Sequence, residues 1–274
     1  MIHLPEKWKK DWNVTEDNFE NLFQVQGGVY RNIDGRRTIR FKYDNRWYFG
    51  KFHAGVGWRK ILKNLLQFRR PPVLSAKNEW RAIQKLDSLG IGTTPLVGYG
   101  RKGINPAKIR SFVITEEISE AVSLEDYCRN WFDNPPPYSV KRRLVTEVAR
   151  IARIMHENGM NHRDFYICHF LMETSEGGKQ IDPDNIRLAV IDLHRVQIRP
   201  SIPWRWRVKD ISGLFFSSLD AGLTKRDLVR FAREYRKTTA KEAVMGERFF
   251  WWVVRRRAVR LYKKAFGTEP PVDV

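Results

Sequence analysis

Two aspartates set the terms for this chain. One closes His162-Arg163-Asp164, and the other opens Asp192-Leu193-His194, twenty-eight positions later. Ahead of the first, Val140, Leu144, Val148, Ile151 and Met155 recur at helical spacing, so a long amphipathic helix delivers the chain to a loop. Ahead of the second, Leu188-Ala189-Val190-Ile191 is an apolar run of strand length. Helix, acidic loop, buried strand, acidic loop is the order in which kinase-type sites place two carboxylates. One orients and deprotonates a hydroxyl, and the other holds magnesium on a nucleotide's phosphates.

Such a site needs a cation fixed on an upstream strand, and the first half of the chain offers one. After a mixed, helical opening of about 25 residues with a capping turn at Asn13–Asp17, strand signals begin at Gly27-Gly28-Val29-Tyr30-Arg31. Arg36–Tyr43 and Trp47–Phe52 alternate, are rich in aromatics, and flank a turn at Asp44-Asn45, which predicts two antiparallel strands. A basic, partly apolar stretch runs from Trp58 to Arg70 and stops at Pro71-Pro72. Trp80, Ile83, Leu86 and Leu89 then mark a helix from near Ser75 to Gly90, followed by strands at Thr94–Gly100 and Ser111–Glu116.

Lys51 lies mid-strand, and Glu79 lies twenty-eight residues later on that helix. In a kinase the strand lysine contacts nucleotide phosphates and a helix glutamate holds it in place. Two unit charges at ~4 Å attract by about 4 kcal/mol at an effective dielectric of 20, before desolvation, so such a pair mainly fixes geometry. An ordinary exposed strand lysine is the plain alternative. Gly27-Gly28 could cradle phosphate through backbone N–H groups, although G-x-G-x-x-G is absent and a simple turn would use the same residues.

After Glu117 the pattern turns helical. Ser123-Leu124-Glu125-Asp126 opens a short helix through Phe132, and Ser139 caps the long helix closed by Gly159. Thr224 with Asp227 starts another, and a last one runs across Glu242 to Phe266. The expected fold is α+β, two-lobed and protein-kinase-like. It has a small β-rich N-terminal lobe over residues 1–118 that anchors nucleotide phosphates. An α-rich lobe over 119–274 carries the catalytic loop, metal site and acceptor site.

Within that frame Asp164 is the candidate catalytic base and Asp192 a candidate metal ligand. His169 stands where a kinase usually carries a metal-binding asparagine. Imidazole is softer than magnesium prefers, so a hydrogen-bonding role stays open beside a metal-binding one. Asp210 reads as an internal brace for the catalytic-loop backbone. Asp-Phe-Gly and Ala-Pro-Glu are absent and Asp192 and Asp210 stand close together, which argues against a regulated protein kinase.

Charge narrows the partners. Fifty Lys and Arg against 31 Asp and Glu give a net charge of +19, a field that draws polyanions. With 42% apolar and 13% aromatic residues the chain has a globular composition. Cys128 and Cys168 are too few for a disulfide framework and are expected as buried thiols in a reducing compartment. No signal peptide and no apolar run of ~18 residues is visible. The expectation is a cytoplasmic protein, soluble or peripheral at the inner face of a membrane.

The string Asn161-His162-Arg163-Asp164-Phe165-Tyr166-Ile167-Cys168-His169-Phe170, with Val190-Ile191-Asp192-Leu193-His194-Arg195, closely resembles the lipopolysaccharide core heptose(I) kinase family. So do Gly35-Arg36-Arg37-Thr38, Lys63-Asn64-Leu65-Leu66, Asn78-Glu79-Trp80, Ser123-Leu124-Glu125-Asp126-Tyr127 and Lys209-Asp210, across residues ~20–240. Phe165 departs from the family, which favours cysteine there. The resemblance implies an ATP- and Mg2+-dependent kinase acting on a hydroxyl of the first heptose in the lipopolysaccharide inner core. It carries over Asp164 as catalytic residue, Lys51 and Glu79 as the phosphate-anchoring pair, and Asp192 as metal ligand. The implied substrate is the lipid A-core oligosaccharide, with an acyl carrier protein as a further partner. Trp204-Arg205-Trp206-Arg207 and Trp251-Trp252 with Arg255-Arg256-Arg257 would grip sugars or anchor at the inner leaflet, if they are not simply core and solvated faces. Nucleic acid is disfavoured. The alternatives are a kinase of the same fold for another acceptor (a Kdo sugar, small molecule or protein hydroxyl) and a non-catalytic polyanion-binding pseudokinase.

Overall fold

The computed structural model describes residues 1–33, 35–67, 73–174 and 186–271. Two compact units divide the chain. Met1–Lys85, Thr94–Ser119 and Leu193–Arg195 form the first, and Leu86–Thr93, Glu120–Asp192 and Val196–Val274 the second. Sheet dominates the N-terminal part and helix the C-terminal part, as the sequence pattern predicts.

The first unit is built on a hairpin. Its elements begin with β1 (Ile2–His3), α1 (Glu6–Asp11) and β2 (Gly28–Ile33). Then come β3 (Arg36–Tyr43) and β4 (Arg46–His53), joined by Asp44 and Asn45 with φ of 45° and 62°. Paired positive φ values are the turn conformation that matches strand twist. After α2 (Trp58–Leu66) and α3 (Lys77–Ser88), β5 (Gly92–Thr93) pairs elsewhere, and β6 (Leu96–Lys102) and β7 (Arg110–Glu116) complete the sheet. The order is β1-β6-β7-β4-β3-β2, antiparallel throughout. Period-2 alternation sends Ile39, Phe41, Tyr48 and Phe52 to one face, where Leu4, Trp8, Phe19 and Leu22 cover them. The other face is left for α3.

The second unit adds β8 (Ala121–Ser123), α4 (Leu124–Cys128), α5 (Tyr138–Glu157), β9 (Met160–Asn161), β10 (Phe170–Glu173), β11 (Leu188–Val190) and β12 (Gln197–Ile198). It ends in α6 (Trp204–Ser217), α7 (Lys225–Arg236), α8 (Ala240–Met245) and α9 (Arg248–Phe266). The predicted α5 stripe is fully recovered: Val140, Leu144, Val148, Ile151 and Met155 are all buried. The strands form a four-stranded sheet, β5-β11-β10-β8, and a two-stranded β12-β9 pair. These short ladders fix the loops that carry Asp164 and Asp192.

Local departures have local causes. The opening 25 residues hold β1, α1 and a 3-10 turn (Phe19–Gln24), while Thr15 Oγ1 accepts the Asn18 N–H at 3.1 Å in the expected capping turn. Trp58–Leu66 is helical although its Leu62, Leu65 and Leu66 stay exposed, and the expected end at Arg70 and Pro71-Pro72 lies outside the described residues. Ser123 caps α4 by accepting the Asp126 N–H at 3.0 Å, but that helix ends at Cys128, short of Phe132. α5 starts before Ser139, with Pro137 at the cap position, where the missing N–H costs nothing. The final helix is two: Thr239 and Glu242 form a capping box for α8, and α9 restarts after Gly246-Glu247.

Candidate active site

Lys51 projects from β4 on the sheet face opposite Phe52, between Thr38 of β3 and Val113 of β7. α3 lies on that face: the Ala76 N–H donates to Ser111 Oγ at 3.0 Å and Trp80 stacks on Tyr99 at 5.2 Å. This docking buries Glu79 in the first turn of α3, and Lys51 Nζ donates to Glu79 Oε1. The carboxylate side chain is 6% exposed and the lysine 22%, so the cation is the open end of the pair. Glu79 Oε2 is buried without a hydrogen-bond partner among the described residues, which leaves the ammonium as the charge's main compensation.

His53, two residues along β4, is also buried, and its Nε2 has no hydrogen-bond partner among the described residues. Burial, with Arg36, Lys51 and His194 adding repulsion, pushes its imidazole down to about 3. Gly28 opens β2 opposite Arg40, and a Cβ at Gly27 would meet the Arg40 carbonyl oxygen at 2.6 Å. A close strand approach therefore accounts for Gly27. The glycine in the β2–β3 turn is Gly35, with φ of 72° and its carbonyl accepting the Ala54 N–H at 2.7 Å.

The second cluster starts where α5 stops. Gly159, at φ 74°, reverses the chain into β9, passing the Arg199 carbonyl too closely for any side chain. Asp210, 1% exposed on α6, accepts the His162 N–H at 2.6 Å and the Arg163 N–H at 2.8 Å, which is the brace expected of it. Arg163 has φ of 76° and Asp192 φ of 59°, left-handed conformations that cost a non-glycine residue about 1–3 kcal/mol each when not locally satisfied. Both loops are held by histidines. His162 Nε2–H donates to the Ile191 carbonyl at 3.0 Å, and the Ile191 N–H donates to the His169 carbonyl at 3.0 Å. Burial holds the His162 imidazole below its ordinary value.

His169 Nδ1–H donates to the Asp164 carbonyl at 2.7 Å. In the neutral ring the lone pair then belongs to Nε2, which lies 3.6 Å from Asp192 Oδ2. Two acceptors facing one another at that separation fit a shared cation. Magnesium usually takes one or two protein ligands and completes its shell with substrate phosphates and water. No cluster of three or more His, Cys, Asp or Glu side chains occurs among the described residues, so the phosphates would have to supply the rest.

Lys209 was visible in the sequence only as the neighbour of Asp210. Its Nζ donates to the Arg163 carbonyl and lies 3.9 Å from Asp164 Oδ1. Phe165 is 1% exposed, with its ring between His162 at 5.5 Å and Phe170 at 5.1 Å, a packing position next to Asp164 in the chain. Of the two thiols expected to be buried, Cys128 is and Cys168 is only half-buried; burial raises them to about 12 and about 11.

Residues 20–235 match the lipopolysaccharide kinase (Kdo/WaaP) family. The chain belongs to that family. It is 46% identical over 261 residues to the lipopolysaccharide core heptose(I) kinase WaaP of Pseudomonas aeruginosa PAO1, covering 95% of this chain and 96% of the relative. To the enzyme of the same name from Escherichia coli K12 it is 46% identical over 235 residues, 86% of this chain and 87% of the other. A solved structure described as WaaP in complex with acyl carrier protein superposes with a TM-score of 0.82 at 42% identity, covering 96% of this chain and 99% of that one.

Two further features belong to the second unit. A cavity of about 360 Å³ is lined almost wholly by apolar groups, among them Leu124, Trp131, Leu144, Ile211, Phe231 and Trp251. Nearby the tryptophans sort by role. Trp251 Nε1 donates to the Ala243 carbonyl at 2.7 Å, and Trp206 lies under the guanidinium groups of Arg163 and Arg199. Trp204, Phe249 and Trp252 instead form an exposed stack, with successive ring centroids 6.0 and 5.8 Å apart and Arg256 over Trp252 at 4.6 Å.

Proposed function

We propose that this kinase transfers the γ-phosphoryl group of ATP to a hydroxyl of the first heptose of the lipopolysaccharide inner core. The observation that carries the reading is the loop cluster of Asp164, His169 and Asp192, in a chain 46% identical to a heptose(I) kinase over nearly its whole length. Asp164 accepts the hydrogen bond of the sugar hydroxyl and takes its proton as the oxygen bonds to Pγ. The Pγ–O bond to the β-phosphate breaks and its electron pair leaves with ADP. Because the transition state is loose, orienting the hydroxyl matters more than carboxylate basicity. Lys51, steadied by Glu79, neutralises nucleotide phosphate charge, as would backbone N–H groups at the glycine-bearing start of β2. Asp192 and His169 would hold magnesium, which supplies further charge neutralisation at the phosphates when bound.

The decisive experiment uses core glycolipid from a strain lacking the kinase. Magnesium-dependent incorporation of labelled phosphate into the first heptose is expected with wild type and absent with Asp164→Ala. Labelling of a Kdo residue instead, or an active Asp164→Ala enzyme, would overturn the assignment.

The same reading extends to partners. An acyl carrier protein is acidic, this chain carries +19, and a carrier's acyl chain has the apolarity that the 360 Å³ cavity accepts. The Trp204–Phe249–Trp252 stack with Arg256 suits an anionic bilayer surface, where indole rings settle at headgroup level and arginines meet phosphate. No helix among the described residues is long and apolar enough to span the membrane, so such contact would be peripheral. Sedimentation with phosphatidylglycerol vesicles, lost in a Trp204→Ala/Phe249→Ala/Trp252→Ala variant, tests it.

A further inference from the structure

We propose that Lys209 is a positioning residue for the catalytic loop: through a backbone carbonyl and a carboxylate it sets the direction in which Asp164 meets the acceptor hydroxyl. The inference rests on the assignment of Asp164 as base and goes beyond it, because Lys209 reaches the reaction only through its neighbours.

The left-handed backbone at Arg163 is where the argument starts. At φ 76° that residue turns its carbonyl out of the path an ordinary β or α conformation would give it, and the carboxylate of the next residue turns with it. Such a conformation persists only where surroundings over-determine it. Asp210 ties down the N–H groups of His162 and Arg163, which fixes the peptide planes on the near side of the turn. Nothing in that pair of bonds fixes the far side. Lys209 Nζ does so, donating to the Arg163 carbonyl and standing 3.9 Å from Asp164 Oδ1. Adjacent residues of one helix thereby clamp both faces of a single peptide turn, the acid taking the donors and the base taking the acceptors.

Burial makes the contact consequential. The Lys209 side chain is 14% exposed and that of Asp164 18%, so solvent screening is weak and an ammonium without these acceptors would be costly. Trp206, one turn earlier on α6, places its ring 5.8 Å from Nζ and walls the amine on a further side. The lysine therefore has a narrow set of rotamers, and the carbonyl it holds is rigid on the scale that catalysis requires.

The test is a kcat against KM separation with a cycle. Lys209→Met keeps length and packing, so it should melt within a few degrees of wild type, since Asp210 retains both of its donors. Its kcat should fall about 100-fold, the cost of a carboxylate misplaced by about an ångström, while KM for ATP changes less than threefold. Lys209→Arg, which keeps a donor for the carbonyl and a charge for the carboxylate, should recover at least tenfold of that loss. In an Asp164→Asn background the Lys209→Met change should cost nothing further, because a residue that works through Asp164 has nothing left to position.

A Lys209→Met enzyme with kcat within threefold of wild type overturns the proposal, as does an additive loss on Asp164→Asn. Collapse of the Lys209→Met fold beside a fully active Lys209→Arg also overturns it, by making the lysine a structural strut. If Asp164→Asn itself were fully active, the base assignment would fail first, and the two failures are thereby distinguishable.

Discussion

The Lys51 region and the Asp164 region solve the same problem, holding a charge still, by opposite means. Lys51 is steadied by one side chain, Glu79, delivered by a helix lying on the face of a sheet. Asp164 is steadied through its backbone: Asp210, Lys209 and His169 all engage peptide groups of residues 162–164. A flexible four-carbon lysine needs its tip fixed, since its backbone already belongs to a strand. A short aspartate in a strained loop needs its peptide fixed, because its carboxylate goes wherever the loop points. The comparison teaches that a charged side chain is stabilised at its most mobile link.

That difference predicts how each region should break. The largest effect falls on Asp164→Asn, where kcat should drop at least about 10³-fold with the melting temperature nearly unchanged, measured by single-turnover phosphate transfer. Intact activity there would remove the second region from the chemistry altogether. Next, Lys51→Met should lower kcat/KM for ATP about 100-fold, and Glu79→Gln should lower it less, about tenfold, because an amide still accepts from the ammonium. Equal losses would mean that Glu79 does more than hold a tip. Asp210→Asn should differ in kind: an amide offers one acceptor oxygen where the carboxylate serves two N–H groups. It should therefore cost about 2 kcal/mol in urea unfolding and lose activity together. Loss of activity without loss of stability would contradict a backbone-fixing role.

The smallest effect concerns pH. His53 is depressed to about 3 in the folded chain. Below the ordinary histidine value of about 6.5, the unfolded chain takes up a proton that the folded chain refuses. Stability is therefore complete above that value and declines as pH falls toward 3, by about 1.4 kcal/mol per pH unit for one such group. His53→Gln should flatten the dependence of melting temperature on pH in this window without abolishing it, since His162 is depressed by burial in the same direction. A slope identical to wild type would show that His53 is solvated.

Much of this was readable from residues. The alternation of Arg36–Tyr43, the Asp44-Asn45 turn and the α5 stripe each follow from a short-range period that the fold simply realises. Thr224 with Asp227 formed its capping box for the same reason, being decided within one helical turn. The break between α8 and α9 and the exposed leucines of α2 were missed, because an apolar pattern does not say which surface will be there to receive it. The contact of Lys209 with the Arg163 carbonyl was missed for a different cause. That carbonyl is forty-six positions away, and a backbone oxygen leaves no mark in a sequence.

What the sequence determined by itself was the inventory: two aspartates, a lysine, a glutamate, their order, and the family in which that order occurs. Helical and strand periods are local, and a family's catalytic string is a statement about residue identity. Tertiary structure decided orientation. The left-handed turns at Arg163 and Asp192, the pairing of His169 with Asp192 and the clamp from α6 depend on contacts between distant segments. Their stabilisation comes from peptide groups that every residue shares, so no choice of side chain announces them in advance.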